Sequence, residues 1–130
     1  MAERLRAVDL DLIFLVSPTT AEARLRRVGE TASGFVYYVA LKGVTGAASL
    51  DAGAVAGELT RIRQYVQLPL GVGFGIRDAT SARQVAGTAD AVVVGSALVE
   101  RLQAAGADAP AAAKAFITEL RAAIDGARAA

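Results

Sequence analysis

At 130 residues, 54% apolar and 21% charged, the chain has the length of one domain and ample material for a packed core, which excludes a disordered segment. Fourteen Lys and Arg against thirteen Asp and Glu leave a net charge of +1 with interleaved signs, so no basic face offers itself to nucleic acid or an anionic membrane. With no cysteine and no histidine, disulfides, thiolate sites, serine–histidine catalysis and most zinc or haem chemistry are excluded, and any reaction falls to carboxylates, tyrosine, lysine or backbone groups.

In chain order, Arg4 and Arg6 precede an apolar "LIFLV", but Asp9 and Asp11 intervene. The run is also too short for a signal peptide or a membrane span, so a cytoplasmic protein is expected. Leu12–Val16 is the first predicted strand. A helix over Thr20–Thr31 follows, with Thr19 and Glu22 spaced as a capping box and the "RLRR" run, Arg24 to Arg27, as a solvated face. Phe35–Leu41 is the second strand, opening into "KGVTGAASLD". Asp51–Val66 reads as a helix with Val55, Leu59, Ile62 and Val66 on one stripe. Leu70–Phe74 is the third strand, and Asp78 caps a helix that runs to Ala86. Ala91–Gly95 is the fourth strand, followed by a helix over Ala97–Ala105 carrying Leu98 and Leu102. The last helix spans about Pro110–Ile124, with Phe116, Leu120 and Ile124 at four-residue spacing and Pro110 in its first turn.

The strands are almost continuously apolar, the pattern of parallel strands covered on both faces. The order β-α-β-α-β-α-β-α-α implies an α/β domain, residues 1–130, with a parallel sheet and right-handed crossovers. Two architectures fit. One is a small doubly wound sheet. The other is half of a (β/α)₈ barrel, which needs about 250 residues for all eight strands.

In both, sites form at the C-terminal ends of the strands. Those ends carry "SPTT", "KGVTGAASLD", "GVGFGIRD" with Gly71, Gly73 and Gly75 at alternate positions, and Gly95-Ser96 opening a helix. A single such glycine is most simply a tight turn or a close helix contact. Glycines on three consecutive strand ends favour a cradle in which free backbone N–H groups and a helix N-terminus hold a phosphate, with no Lys or Arg required. "GVGFGI" is not the G-x-G-x-x-G dinucleotide fingerprint, and Asp90 precedes its strand at the opposite rim. The carboxylates do not complete a reaction centre. Asp9 and Asp11 lie before the first strand, Asp51 and Asp78 read as helix caps, and Glu22, Glu30, Glu58, Glu100 and Glu119 lie on helices. The chain therefore reads as a binding half without a catalytic half.

Taken in order, "DLIFLVSPTT", "GFVYYVALKGVTG", "LPLGVGFGIRDATSARQV" and "ADAVVVGSALV" resemble the second half of the tryptophan synthase alpha chain, from just before its fifth barrel strand to the end. The resemblance implies a (β/α)₈ barrel that cleaves indole-3-glycerol phosphate to indole and glyceraldehyde 3-phosphate by a retro-aldol reaction. It also implies a partner, the beta subunit that carries pyridoxal phosphate, while no cofactor or metal is expected on this chain. Gly46, Gly75, Gly95 and Ser96 match positions that hold the substrate phosphate. Thr45 matches a threonine of the loop that closes over the substrate, Tyr37 a tyrosine beside the reacting centre, and Leu15 and Phe74 positions of the indole pocket. The small residues of "KGVTGAASLD" thus read as a lid. The sequence departs from the family pattern at Ala40-Leu41, where a polar pair is usual. The family's catalytic Glu and Asp belong to early strands that this sequence does not contain, so the isolated chain is expected to be close to inactive.

Four strands cannot close a barrel, which leaves the first and fourth with unpaired edges and the inward row without packing partners. A homodimer or higher oligomer of half-barrels is the expected remedy. The alternatives are a non-catalytic, self-associating scaffold and a small doubly wound phosphate-binding module.

Overall fold

Four short strands form one parallel sheet in the computed structural model, which describes residues 2–40, 51–73 and 75–129. They are β1 (Phe14–Val16), β2 (Val36–Val39), β3 (Leu70–Gly73) and β4 (Ala91–Val93), hydrogen-bonded in the order β1-β2-β3-β4. Each lies inside a predicted strand. A doubly wound sheet reverses its strand order at a switch point, and this sheet has no reversal, so that alternative is set aside.

Register sorts the side chains into rows. Leu15, Tyr37, Gly71 and Ala91 stand side by side, and one residue further on so do Val16, Tyr38, Val72 and Val92. Successive residues point to opposite faces, so these rows belong to different sides of the sheet. Val16, Val36, Tyr38, Leu70 and Val72 are buried in one core with Leu25, Val28, Val55, Leu59, Ile62, Val85 and Phe116 of the helices. On the other side Leu15 remains 60% exposed, and Tyr37, Val39 and Val93 are half-buried. The expectation of two covered faces is therefore corrected: among the described residues, helices cover one face only. The strands look continuously apolar because the uncovered face is apolar too.

The predicted helices are all present: α2 (Glu22–Thr31), α3 (Ala52–Arg63), α4 (Ala79–Ala86), α5 (Ser96–Ala105) and α6 (Ala109–Arg128), preceded by a short unpredicted α1 (Ala2–Arg6). The stripe on α3 is buried as expected, and α6 buries Phe116 and Leu120. The exposed Arg24, Arg26 and Arg27 flank a buried Leu25, so the arginine run is a solvated face. Helix α6 runs past its predicted end, through Gly126 to Arg128: the tail has no proline, and its alanines and arginine favour the helix enough to carry it over the one glycine.

Caps decide where the helices start. Asp51 accepts the Ala54 N–H at 3.0 Å, and Asp78 exchanges hydrogen bonds with Ser81 in a full capping box. The Thr19–Glu22 box does not form. Helix α2 begins after Ala21 with no side-chain cap, because the hydroxyls upstream are engaged within their own turn. Thr20 Oγ1 accepts the Ser17 N–H at 2.9 Å, and Thr19 Oγ1 lies 3.0 Å from Ser17 Oγ. That turn is tied to α3 by Arg61, which donates to the Thr20 carbonyl at 3.2 Å while its guanidinium pairs with Glu58 at 2.9 Å.

Candidate functional site

The C-terminal ends of β2, β3 and β4 meet at one cleft. Beyond β3 the backbone turns at Gly75, whose φ of 81° is in the left-handed region that a side chain disfavours. Ile76 is then buried, and Arg77 starts the turn into α4 with its N–H donating to Ser81 Oγ at 3.1 Å. Beyond β4, Gly95 is the N-cap of α5 and Ser96 its first residue. Among the described residues no side chain caps this helix: the Leu98 N–H donates to the Gly95 carbonyl at 2.9 Å, while Ser96 and Ala97 line the cleft without the side-chain oxygen that Asp51 and Asp78 supply elsewhere. A Cβ at Gly95 would meet nothing within 4 Å, so there is free space in front of this backbone.

The floor of the cleft is Tyr37. A Cβ on Gly73 would overlap its hydroxyl outright and lie 3.1 Å from its Cε1, so the phenol lies flat across β3 only because Gly73 has no side chain. Phe35 covers Gly71 in the same way one step below, with Cε2 3.3 Å from where a Cβ would stand. The resulting cavity of about 380 Å³ is lined by Tyr37, Gly75, Ile76, Arg77, Gly95 and Ser96, with Val93 and Ala97.

Of the residues singled out in the sequence, Tyr37, Gly75, Gly95 and Ser96 are thus brought together. Leu15 is not part of this group. It is Tyr37's register neighbour, yet it lines a separate groove with Ser17, Thr20 and Val39. Thr45, Gly46 and the rest of the expected lid up to Leu50 lie outside the described residues, as do Phe74 and Leu41; Ala40 is buried, its N–H donating to the Gly73 carbonyl at 3.0 Å.

Arg77 was missed. Sequence reasoning asked for no cation, yet this side chain lines the cleft and pairs with Glu100 of α5 at 2.6 Å. Its one signal was its place, directly after "GFGI". The carboxylates sit where expected. Asp78 is a cap, held below the usual carboxylate range by the Ser81 N–H and hydroxyl. Asp90 lies at the opposite rim, where it accepts the Leu70 N–H at 2.8 Å and pairs with Arg63. Among the described residues no group of three or more acidic side chains could hold a metal ion.

An uncapped helix start, an unobstructed glycine and a phenol floor thus meet in one cleft on adjoining strand ends. The family profile of the tryptophan synthase alpha chain matches residues 1–127. The chain belongs to that family.

Curated tryptophan synthase alpha chains from Burkholderia multivorans and Burkholderia cenocepacia are 57% and 56% identical over 127 residues, covering 97% of this chain and 47% of theirs. Among solved structures, the tryptophan synthase alpha subunit of Legionella pneumophila superposes with a TM-score of 0.82 at 33% identity, covering 96% of this chain and 46% of that one. Tryptophan synthase of Mycobacterium tuberculosis gives a TM-score of 0.79 at 35% identity, over 95% and 45%. The chain spans about half the length of the tryptophan synthase alpha chains it matches. Its sheet is accordingly a half-barrel: four βα units of a (β/α)₈ barrel with an added C-terminal helix, its uncovered face corresponding to the inner wall.

Proposed function

We propose that the chain is the phosphate- and indole-binding half of a tryptophan synthase alpha chain, a lyase of tryptophan biosynthesis acting in the cytoplasm. The observation that carries this is the shared cleft of Tyr37, Gly75, Gly95 and Ser96. The N–H groups at the start of α5, the Ser96 hydroxyl and the Gly75 turn hold the phosphate of indole-3-glycerol phosphate, with Gly46 completing the cradle. The partial positive charge of the helix start favours the dianion without a fixed counter-charge. Tyr37 lies beside the reacting carbon, and Leu15 and Phe74 contribute to the indole wall. Thr45 belongs to the lid that excludes water during the retro-aldol step.

Among the described residues, no pair of carboxylates lines the cleft to protonate the indole ring and deprotonate the glycerol hydroxyl. The isolated chain therefore binds without turning over, and activity requires the complementary half and, for transfer of indole, the beta subunit. Titration with indolepropanol phosphate tests the site. Saturable binding that disappears in Gly95→Asp, with the fold retained, is expected. That variant places a carboxylate where the phosphate would sit, and its Cβ has room. Absence of binding by the folded, unsubstituted chain would remove the proposal.

A second reading, a self-associating half-barrel scaffold, is favoured by the apolar uncovered face with Leu15 60% exposed and by the two edge strands β1 and β4. Pairing two sheets through this face supplies eight strands. A single monomeric species in sedimentation at micromolar concentration would end this reading.

A further inference from the structure

The ion pair at the lip of the cleft has no structural duty that accounts for it. Arg77 and Glu100 are 58% and 56% exposed, and an exposed pair of this kind contributes little to folding. It joins the loop after β3 to α5 on the side where the cleft opens. Glu100 follows Ser96 by four residues, so both lie on the same face of α5, the carboxylate one turn above the hydroxyl. Arg77 lines the cavity itself. Its backbone is anchored by the Ser81 hydroxyl, whereas Nη2 on Glu100 is the one hydrogen bond of its guanidinium among the described residues.

We propose that Arg77 is a specificity-determining residue of the cleft. Its guanidinium is parked on Glu100 when the cleft is empty and moves to a phosphate oxygen when a phosphorylated ligand enters. The inference rests on the phosphate-site reading above and adds to it a mobile cation with a built-in competitor. Exchange is cheap because the pair is solvent-screened, and the planar fork of Arg suits a phosphate as well as a carboxylate. Glu100 keeps Arg77 at the lip and, as a like charge, weakens the dianion that displaces it.

The test is binding of indolepropanol phosphate and of unphosphorylated indolepropanol to the whole chain, measured for the unsubstituted protein, Arg77→Ala, Arg77→Lys and Glu100→Gln. Arg77→Ala is expected to weaken the phosphate ligand about tenfold and flatten its salt dependence, leaving the unphosphorylated compound and the melting temperature unchanged. Arg77→Lys recovers part of the loss, and Glu100→Gln tightens the phosphate ligand about two- to fivefold. Equal affinity of Arg77→Ala and the unsubstituted chain for the phosphate overturns the role of Arg77 while leaving the site intact. Equal weakening of both ligands overturns it as well, since that marks a structural effect. Failure of the unsubstituted chain to bind the phosphate, with Gly95→Asp indistinguishable from it, overturns the site and this inference together.

Discussion

The Tyr37 phenol occupies the space that a Gly73 side chain would need, and the two residues lie on neighbouring strands, β2 and β3. One glycine thereby fixes both the floor of the cleft and the position of the aromatic ring in it. The contact is local, but it couples the packing of the sheet to the shape of the site.

Gly73→Ala is therefore expected to cost about 1–3 kcal/mol, the usual range for overpacking, and to swing the Tyr37 ring off β3. Tyr37→Ala in the same chain should return a large part of that loss, because the alanine methyl then has room. Urea unfolding of the two single variants and the double variant measures the coupling, and additive effects would mean that the ring does not press on Gly73.

Tyr38, one residue along, faces the core instead and is only 2% exposed. Burial first, and then the Glu58 carboxylate, push its hydroxyl up to about 12, against the smaller opposing effect of Arg61. The folded state thus prefers the neutral phenol more strongly than the unfolded chain does. The associated stability is complete below pH 10 and is lost as pH rises through 12, a change on the order of 2 kcal/mol. Tyr38→Phe keeps the ring and removes the proton. Its urea midpoint should accordingly fall less than that of the unsubstituted chain between those two pH values, and parallel curves would contradict the assignment.

Asp78 gives the opposite dependence. Its carboxylate is held below its ordinary value, chiefly by the Ser81 backbone and hydroxyl, so its contribution is present at neutral pH and fades as acid protonates it. Asp78→Ala removes the cap of α4 and is expected to cost about 1 kcal/mol at pH 7. The difference between variant and unsubstituted protein should shrink steadily below pH 4. A gap of constant size down to pH 2 would assign the loss to something other than the charged cap. Because Ser81 also holds the Arg77 N–H at 3.1 Å, the same variant should loosen the cleft turn and weaken phosphate binding.

Much of this molecule could be read along the chain. The stripe Val55, Leu59, Ile62 and Val66 announces a helix by its spacing, and Asp51 and Asp78 announce two helix starts, because cap and amphipathic face are properties of a few consecutive residues. The same holds for the Gly-Ser step into α5. The Thr19–Glu22 box failed for a reason that spacing does not contain: three hydroxyls upstream of α2 close a turn among themselves.

By itself, then, the sequence determined the alternation of strands and helices and the family, on which the proposed site of Tyr37, Gly75, Gly95 and Ser96 rests. Local periodicity and caps carry the first, and the ordered motifs that resemble the family carry the second. Tertiary structure alone decided that the helices pack on one face of the sheet and leave Leu15 exposed on the other, that Leu15 is separated from the cleft its register neighbour enters, and that Arg77 leans across to Glu100. Each depends on which elements meet in space. Strand order, the direction of a row of side chains and a partner 23 residues away are set by packing the whole sheet against its helices.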